Sequence, residues 1–138
     1  DKLFKFLNKN GINFYSGVPD SVLKSTKRYF ETKNNKQHII TANEGAAVAA
    51  CIGYFLSTGK LSCVYMQNSG LGNAINPLIS ITHQKVYSIP MLLIIGWRGS
   101  PNKKDELWRI FLSGPKSASN LKTYRWYPCV RRVGQPRS

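Results

Sequence analysis

The sequence predicts an α/β fold, an open and mainly parallel sheet with flanking helices. Three observations carry that prediction. Short apolar runs at residues 12–15, 38–42, 61–66 and 91–95 alternate with stretches of helical periodicity, the pattern of repeated strand–helix–strand units. The runs at 61–66 and 91–95 are almost continuously apolar, as strands covered on both faces are. Turn residues with ligand-binding character follow the strands, and the carboxyl ends of strands are the functional edge of such a sheet.

Each element has its own justification. Leu3, Phe4, Phe6 and Leu7 form a short helical stripe, and Asn10-Gly11 supplies the stop signal. A brief strand at 12–15 leads to the loop Ser16-Gly17-Val18-Pro19-Asp20. The next helix carries Val22, Leu23 and Phe30 on one side, with Asp20 or Ser21 as its cap. Residues 31–37 are a polar loop, and strand character returns at 38–42. From Glu44 to Leu56 the chain is rich in Ala and punctuated by Gly, which predicts a helix packed closely on a sheet or on a partner subunit. A strand follows at 61–66, then a helix over 72–82 interrupted by Pro77, then the strand at 91–95. Residues 107–138 show no sustained period and receive no assigned element.

Composition narrows the class. The 138 residues are 42% hydrophobic and 12% aromatic, a globular chain of one-domain length. No apolar run reaches the roughly 18 to 20 residues that cross a bilayer, and the first residues lack the long apolar core of a secretory signal. Cys51, Cys63 and Cys129 are odd in number and far apart, so neither a disulfide framework nor a metal cluster is expected and a cytoplasmic location is the default. The net charge is +14, half of it contributed by residues 107–138, which hold 7 Lys and Arg and no acid. No nucleic-acid-binding motif accompanies that charge, so nucleic acid is not expected as the main partner, nor is a membrane.

The candidate chemistry lies at the strand ends. Gln67-Asn68-Ser69-Gly70-Leu71-Gly72-Asn73 joins a strand to a helix; its glycines permit close backbone approach, and Asn68, Ser69 and Asn73 offer hydrogen-bonding groups. Asn43-Glu44-Gly45 places a lone carboxylate at a second such turn. Glu44 is either a helix-start acid favoured by the helix dipole or a functional carboxylate. Asp20 is either a helix cap or a ligand-facing group. Arg98, after the strand at 91–95, is either a surface arginine or a bidentate partner for a carboxylate, phosphonate or diphosphate. His38 and His83 have no metal-ligand neighbours in sequence and read as structural. Nothing indicates a Ser-His-Asp triad, a zinc site or an ATP-binding loop.

The segments 17–23, 42–47, 64–78 and 86–106 resemble the pyrimidine-binding domain of thiamine-diphosphate enzymes. The string Val86-Tyr87-Ser88-Ile89-Pro90-Met91-Leu92-Leu93-Ile94-Ile95-Gly96-Trp97-Arg98-Gly99 is especially similar to the phosphonopyruvate decarboxylase family; sulfopyruvate decarboxylase alpha subunits are related. The resemblance implies the thiamine-diphosphate-binding fold over residues 1–106 and a separate basic tail over 107–138. It implies decarboxylation of 3-phosphonopyruvate to phosphonoacetaldehyde and CO2 in phosphonate biosynthesis, with thiamine diphosphate and Mg2+ as cofactors. The alternatives are a sulfopyruvate decarboxylase-like alpha subunit and a truncated fragment without catalysis.

By the same resemblance, Glu44 is catalytic, bonding N1′ of the aminopyrimidine so that the cofactor's thiazolium carbon is activated. Gln67, Asn68, Ser69, Gly70 and Asn73 are cofactor-binding, Asp20 assists proton transfer, and Asp20 with Arg98 binds a small anionic 2-oxo acid. The family's diphosphate- and magnesium-binding half has no counterpart among these residues. Its ligands are therefore expected from a missing domain or a partner subunit, in a homo- or hetero-oligomer. The resemblance stops after Glu106, and the composition beyond reads as a coding frame out of register.

Overall fold

Strands β1 (Tyr15–Gly17), β2 (His38–Ile40), β3 (Cys63–Gln67), β4 (Met91–Trp97), β5 (Leu107–Ser113) and β6 (Cys129–Val130) form one sheet in the computed structural model, which describes residues 2–83, 85–99, 107–113 and 129–130. Their spatial order is β2-β1-β3-β4-β5-β6. The first four are parallel, and β5 and β6 are antiparallel to their neighbours. The helices are α1 (Lys2–Lys9), α2 (Lys24–Phe30), α3 (Glu44–Thr58) and α4 (Leu71–Ser80). The predicted parallel α/β sheet with flanking helices is thus present.

The side-chain alternation of β3 and β4 explains why both faces need cover. Val64 and Met66 with Met91, Leu93 and Ile95 point into one core, closed by Ala47, Val48, Cys51 and Ile52 of α3 and Ala74 and Leu78 of α4. Cys63 and Tyr65 with Leu92 and Ile94 point into the other, closed by Phe4 and Leu7 of α1 and Phe30 of α2. A period-2 strand with no polar face is stable only between two layers. Each fully buried aliphatic side chain here contributes about 1.5–3 kcal/mol of transfer free energy.

The second core is largely aromatic. Phe30 stacks on His38 at 4.6 Å and on Tyr65 at 4.6 Å, and His38 Nε2 lies 2.9 Å from the Tyr65 hydroxyl. Burial pushes the Tyr65 hydroxyl up to about 12 and lowers His38 from its ordinary 6.5. The unfolded chain therefore takes up a proton at His38 before the folded one does. Stability associated with His38 is full above pH 6.5 and falls as the pH drops below it. Thermal midpoints between about pH 5.5 and 7.5 should show this slope, and His38→Gln should flatten it.

The two described thiols sit in the same interior. Burial pushes Cys51 up to about 12 and Cys63 well above its ordinary value, and both are free and buried. A buried thiol without thiolate character is inert. In a Cys129→Ser background, a disulfide reagent at neutral pH should label neither cysteine until denaturant is added.

Three local outcomes depart from the simplest expectations. Helix α4 runs through Pro77 without interruption. The bond that proline removes would have ended on the Asn73 carbonyl, and that oxygen faces Gly45 of α3, where a Cβ would stand only 2.8 Å away. Asp20 occupies the cap position before the 3₁₀ turn Ser21–Leu23, but its side chain makes no capping bond. And β5, pairing from Met91↔Ser113 to Trp97↔Leu107, lies in the stretch where no element was assigned. Its partner β4 ends only ten residues earlier, at Trp97, but the pairing is made by main-chain groups, which side-chain periodicity does not report. Pairing with β5 also removes β4 from the sheet edge, where unpaired groups invite association. The out-of-register reading of residues 107–138 otherwise falls outside the described residues.

Candidate active site

From β1 the chain steps outward to β2, then returns through α3 to β3 on the other side of β1. The crevice at such a switch point, beyond the carboxyl ends of the strands, is where open α/β sheets bind ligands. The loops leaving β1, β2, β3 and β4 carry Asp20, Glu44, residues 67–73 and Arg98 respectively.

Glu44 is the first residue of α3, and Asn43 caps the helix, its Oδ1 accepting from the Ala46 N–H at 2.9 Å. The cap leaves the Glu44 side chain free of the helix end. It reaches to α4, where Asn73 Nδ2 donates to Oε2 at 2.9 Å. The backbone of Gly70 lies against the same carboxylate, so close that an added Cβ would overlap Oε1, the carboxyl carbon and Cγ. Glu44 is half-buried and Asn73 exposed, while Gly70 is buried. The arrangement is a carboxylate aimed by one amide and backed by bare main chain.

Arg98 lies just beyond β4. Asn68 grips its peptide from both sides, Nδ2 donating to the Arg98 carbonyl at 3.0 Å and Oδ1 accepting from the Arg98 N–H at 3.2 Å. The Arg98 Nη2 donates to Asp20 Oδ1 at 2.8 Å and also bonds the Ser21 hydroxyl. This ion pair leaves Asp20 3% exposed and Arg98 40% exposed. Asp20 Oδ2 and Arg98 Nε are buried without partners. Neither the cap reading of Asp20 nor the plain surface reading of Arg98 describes what these side chains do.

The other expected residues distribute around these two clusters. Gln67 ends β3 half-buried and Ser69 is exposed. Asn68 is on Arg98, Asn73 and Gly70 are on Glu44, and the two clusters meet in the turn 67–73. His38 belongs to the aromatic core, and His83 bonds locally, accepting at Nδ1 from the Lys85 N–H at 3.2 Å. A groove of about 540 Å³ runs from Asp20 along α2 to His38, Ile40 and Tyr65; its walls do not include Glu44. Among the described residues no three His, Cys, Asp or Glu side chains gather as a metal site, and no helix is long and apolar enough to cross a membrane. The steric tie between Gly70 and Glu44 and the clamp of Asn68 on Arg98 were not foreseen, because both join segments far apart in the chain.

The residues present suit one end of a thiamine cofactor. A carboxyl group held beside bare glycine backbone can accept from a protonated ring nitrogen or, when itself protonated, donate to an unprotonated one, as an aminopyrimidine would need. Comparison with known proteins agrees. The family described as thiamine pyrophosphate enzyme, N-terminal TPP binding domain, matches residues 1–118. Over 104 residues the chain is 36% identical to the sulfopyruvate decarboxylase subunit alpha of Methanococcus maripaludis, covering 75% of this chain and 60% of that protein. It is 38% identical over 96 residues to the phosphonopyruvate decarboxylase of Streptomyces hygroscopicus, covering 70% of this chain and 23% of that one.

The chain therefore spans little more than half, or less, of these relatives. Among solved structures, the 2-oxoglutarate:ferredoxin oxidoreductase of Magnetococcus marinus superposes with a TM-score of 0.56 at 22% identity, over 70% of this chain and 17% of that one. That likeness concerns the fold. The family match over residues 1–118 and the sheet topology converge on one statement: the chain belongs to the thiamine pyrophosphate enzymes and carries their N-terminal TPP-binding domain.

Proposed function

We propose that this chain supplies the pyrimidine-binding part of a thiamine-diphosphate-dependent 2-oxo-acid decarboxylase of the sulfopyruvate and phosphonopyruvate type. The observation that carries the reading is the Glu44 carboxylate, held at 2.9 Å by Asn73 and backed by Gly70 at the mouth of the parallel sheet. When bound, thiamine diphosphate supplies the carbon nucleophile and the electron sink of the reaction. Glu44 holds the pyrimidine nitrogen and exchanges a proton with it. Arg98 attracts the anionic end of the acid. In the overall reaction the C1–C2 bond of 3-phosphonopyruvate breaks and CO2 leaves. A proton takes its place, giving phosphonoacetaldehyde.

A specific observation keeps a second substrate beside the first: relatives of both names are similar to the chain at 36% and 38% identity. Sulfopyruvate differs from phosphonopyruvate only in its terminal anion. The diphosphate group and Mg2+ would be held by a second domain or subunit. The exposed Leu56 of α3 and Ile75 and Ile79 of α4 support such a partner, because these helices begin at the site and leave apolar side chains uncovered. The test is CO2 release from 3-phosphonopyruvate and from sulfopyruvate, with thiamine diphosphate and Mg2+, by the chain alone and mixed with a diphosphate-binding domain. Activity in the mixture supports the proposal, and the preferred acid identifies the substrate. A folded mixture that turns over neither acid would overturn it.

A further inference from the structure

Asp20 is 3% exposed and the Arg98 side chain bonded to it is 40% exposed. Of the two members of this ion pair, Arg98 is the more exposed. Everything around Arg98 fixes it. Its peptide is gripped by the Asn68 amide through two bonds, 3.0 and 3.2 Å. Its guanidinium is drawn inward by the Asp20 carboxylate at 2.8 Å and by the Ser21 hydroxyl. The pair is one bond short of a side-on bidentate contact, and the two atoms that would form it, Asp20 Oδ2 and Arg98 Nε, are buried and unpartnered. A bond between them would complete the pair, and buried polar atoms gain most from such a bond.

We infer that Arg98 is the recognition group for the terminal anion of the 2-oxo acid, and that Asp20 and Asn68 are positioning residues that act through it. Asp20 is the counter-ion that sets the plane of the guanidinium, and Asn68 is the clamp on its main chain. A guanidinium held this way presents its outer N–H groups in one geometry, which favours a multi-oxygen anion such as a phosphonate or sulfonate over a neutral tail. This deepens the decarboxylase reading and rests on it for the identity of the acid. It departs from a direct proton-transfer role for Asp20, whose side chain is buried in its ion pair with Arg98.

The experiment uses the chain assembled with its diphosphate-binding domain. Two readouts are taken: calorimetric binding of 3-phosphonopropionate, which lacks the 2-oxo group, and kcat/KM for 3-phosphonopyruvate relative to pyruvate. Arg98→Met should abolish measurable binding of the probe. Asp20→Asn and Asn68→Ala should each weaken it by at least about ten-fold. Asp20→Asn combined with Arg98→Met should lower the kcat/KM preference for 3-phosphonopyruvate over pyruvate no further than Arg98→Met alone. The preference for phosphonopyruvate over pyruvate should fall by a similar factor, through KM.

Unchanged probe affinity in Asp20→Asn would overturn the inference, as would an equal loss of kcat for both acids. If Asp20→Asn does not fold, Asp20→Glu, which displaces the carboxylate by one methylene, decides the same question. An assembly that binds the probe through Arg98 yet turns over neither acid would sink the decarboxylase reading and leave the positioning role standing. An assembly that binds no probe at all would overturn the positioning role.

Discussion

Glu44→Gln is expected to lower kcat of the assembled enzyme by roughly 10²–10⁴-fold, the usual contribution of a positioned proton-transfer group. The substitution changes little else. The amide keeps the length of the side chain and an oxygen that can still accept from Asn73, whose Nδ2 now donates to Oε2 at 2.9 Å. Asn43 still caps α3 through the Ala46 N–H. Stability should therefore fall by only about 0.3–1 kcal/mol, the helix-dipole interaction that a first-turn carboxylate gives up when it becomes an amide. The check is turnover and thermal denaturation on the same preparation. Full activity in the variant would remove Glu44 from the mechanism.

Gly70→Ala is expected to do comparable damage for a different reason. The backbone of Gly70, at φ −68° and ψ −15°, suits any amino acid. Only the neighbour forbids a side chain: the added methyl would overlap the Glu44 carboxylate. Either the carboxylate moves off Asn73 or the turn shifts away from α3. Overpacking of this kind costs about 1–3 kcal/mol, and a displacement near 1 Å of a catalytic group can cost about 10²-fold in rate. Gly72 provides the contrast, since it lies in the same helix start with nothing within 4 Å of an added Cβ. Gly72→Ala should stabilise the chain by up to about 1 kcal/mol through helix propensity. Equal thermal losses in the two variants would show that contact with Glu44 is not what selects glycine at position 70.

Much of the fold was legible because it is locally encoded. The unbroken apolar runs of β3 and β4 announce two-sided burial, and the strands show it, with Val64 and Met66 in one core and Cys63 and Tyr65 in the other. The Ala-rich run from Glu44 announces α3, and the helix begins at that residue. The placement of Glu44 at a strand-to-helix turn was legible for the same reason. What escaped is what the chain makes by meeting itself. Pro77 reads as an interruption until Gly45 is seen against the Asn73 carbonyl. Asp20 reads equally as a cap or a ligand-facing group, and neither reading contains its ion pair with Arg98, distant in sequence. The strand β5 depends on backbone pairing with β4, which leaves no periodic trace.

The turn between β3 and α4 sends one amide to each side, Asn68 to Arg98 and Asn73 to Glu44. It works as a common strut for the Arg98 and Glu44 clusters. Inserting or deleting a residue in it would displace both clusters at once, so this segment tolerates no independent retuning. A descendant or a designed variant that accepts a different acid would have to vary the loops after β1 and β4, where a change reaches Arg98 and leaves the seat of Glu44 undisturbed.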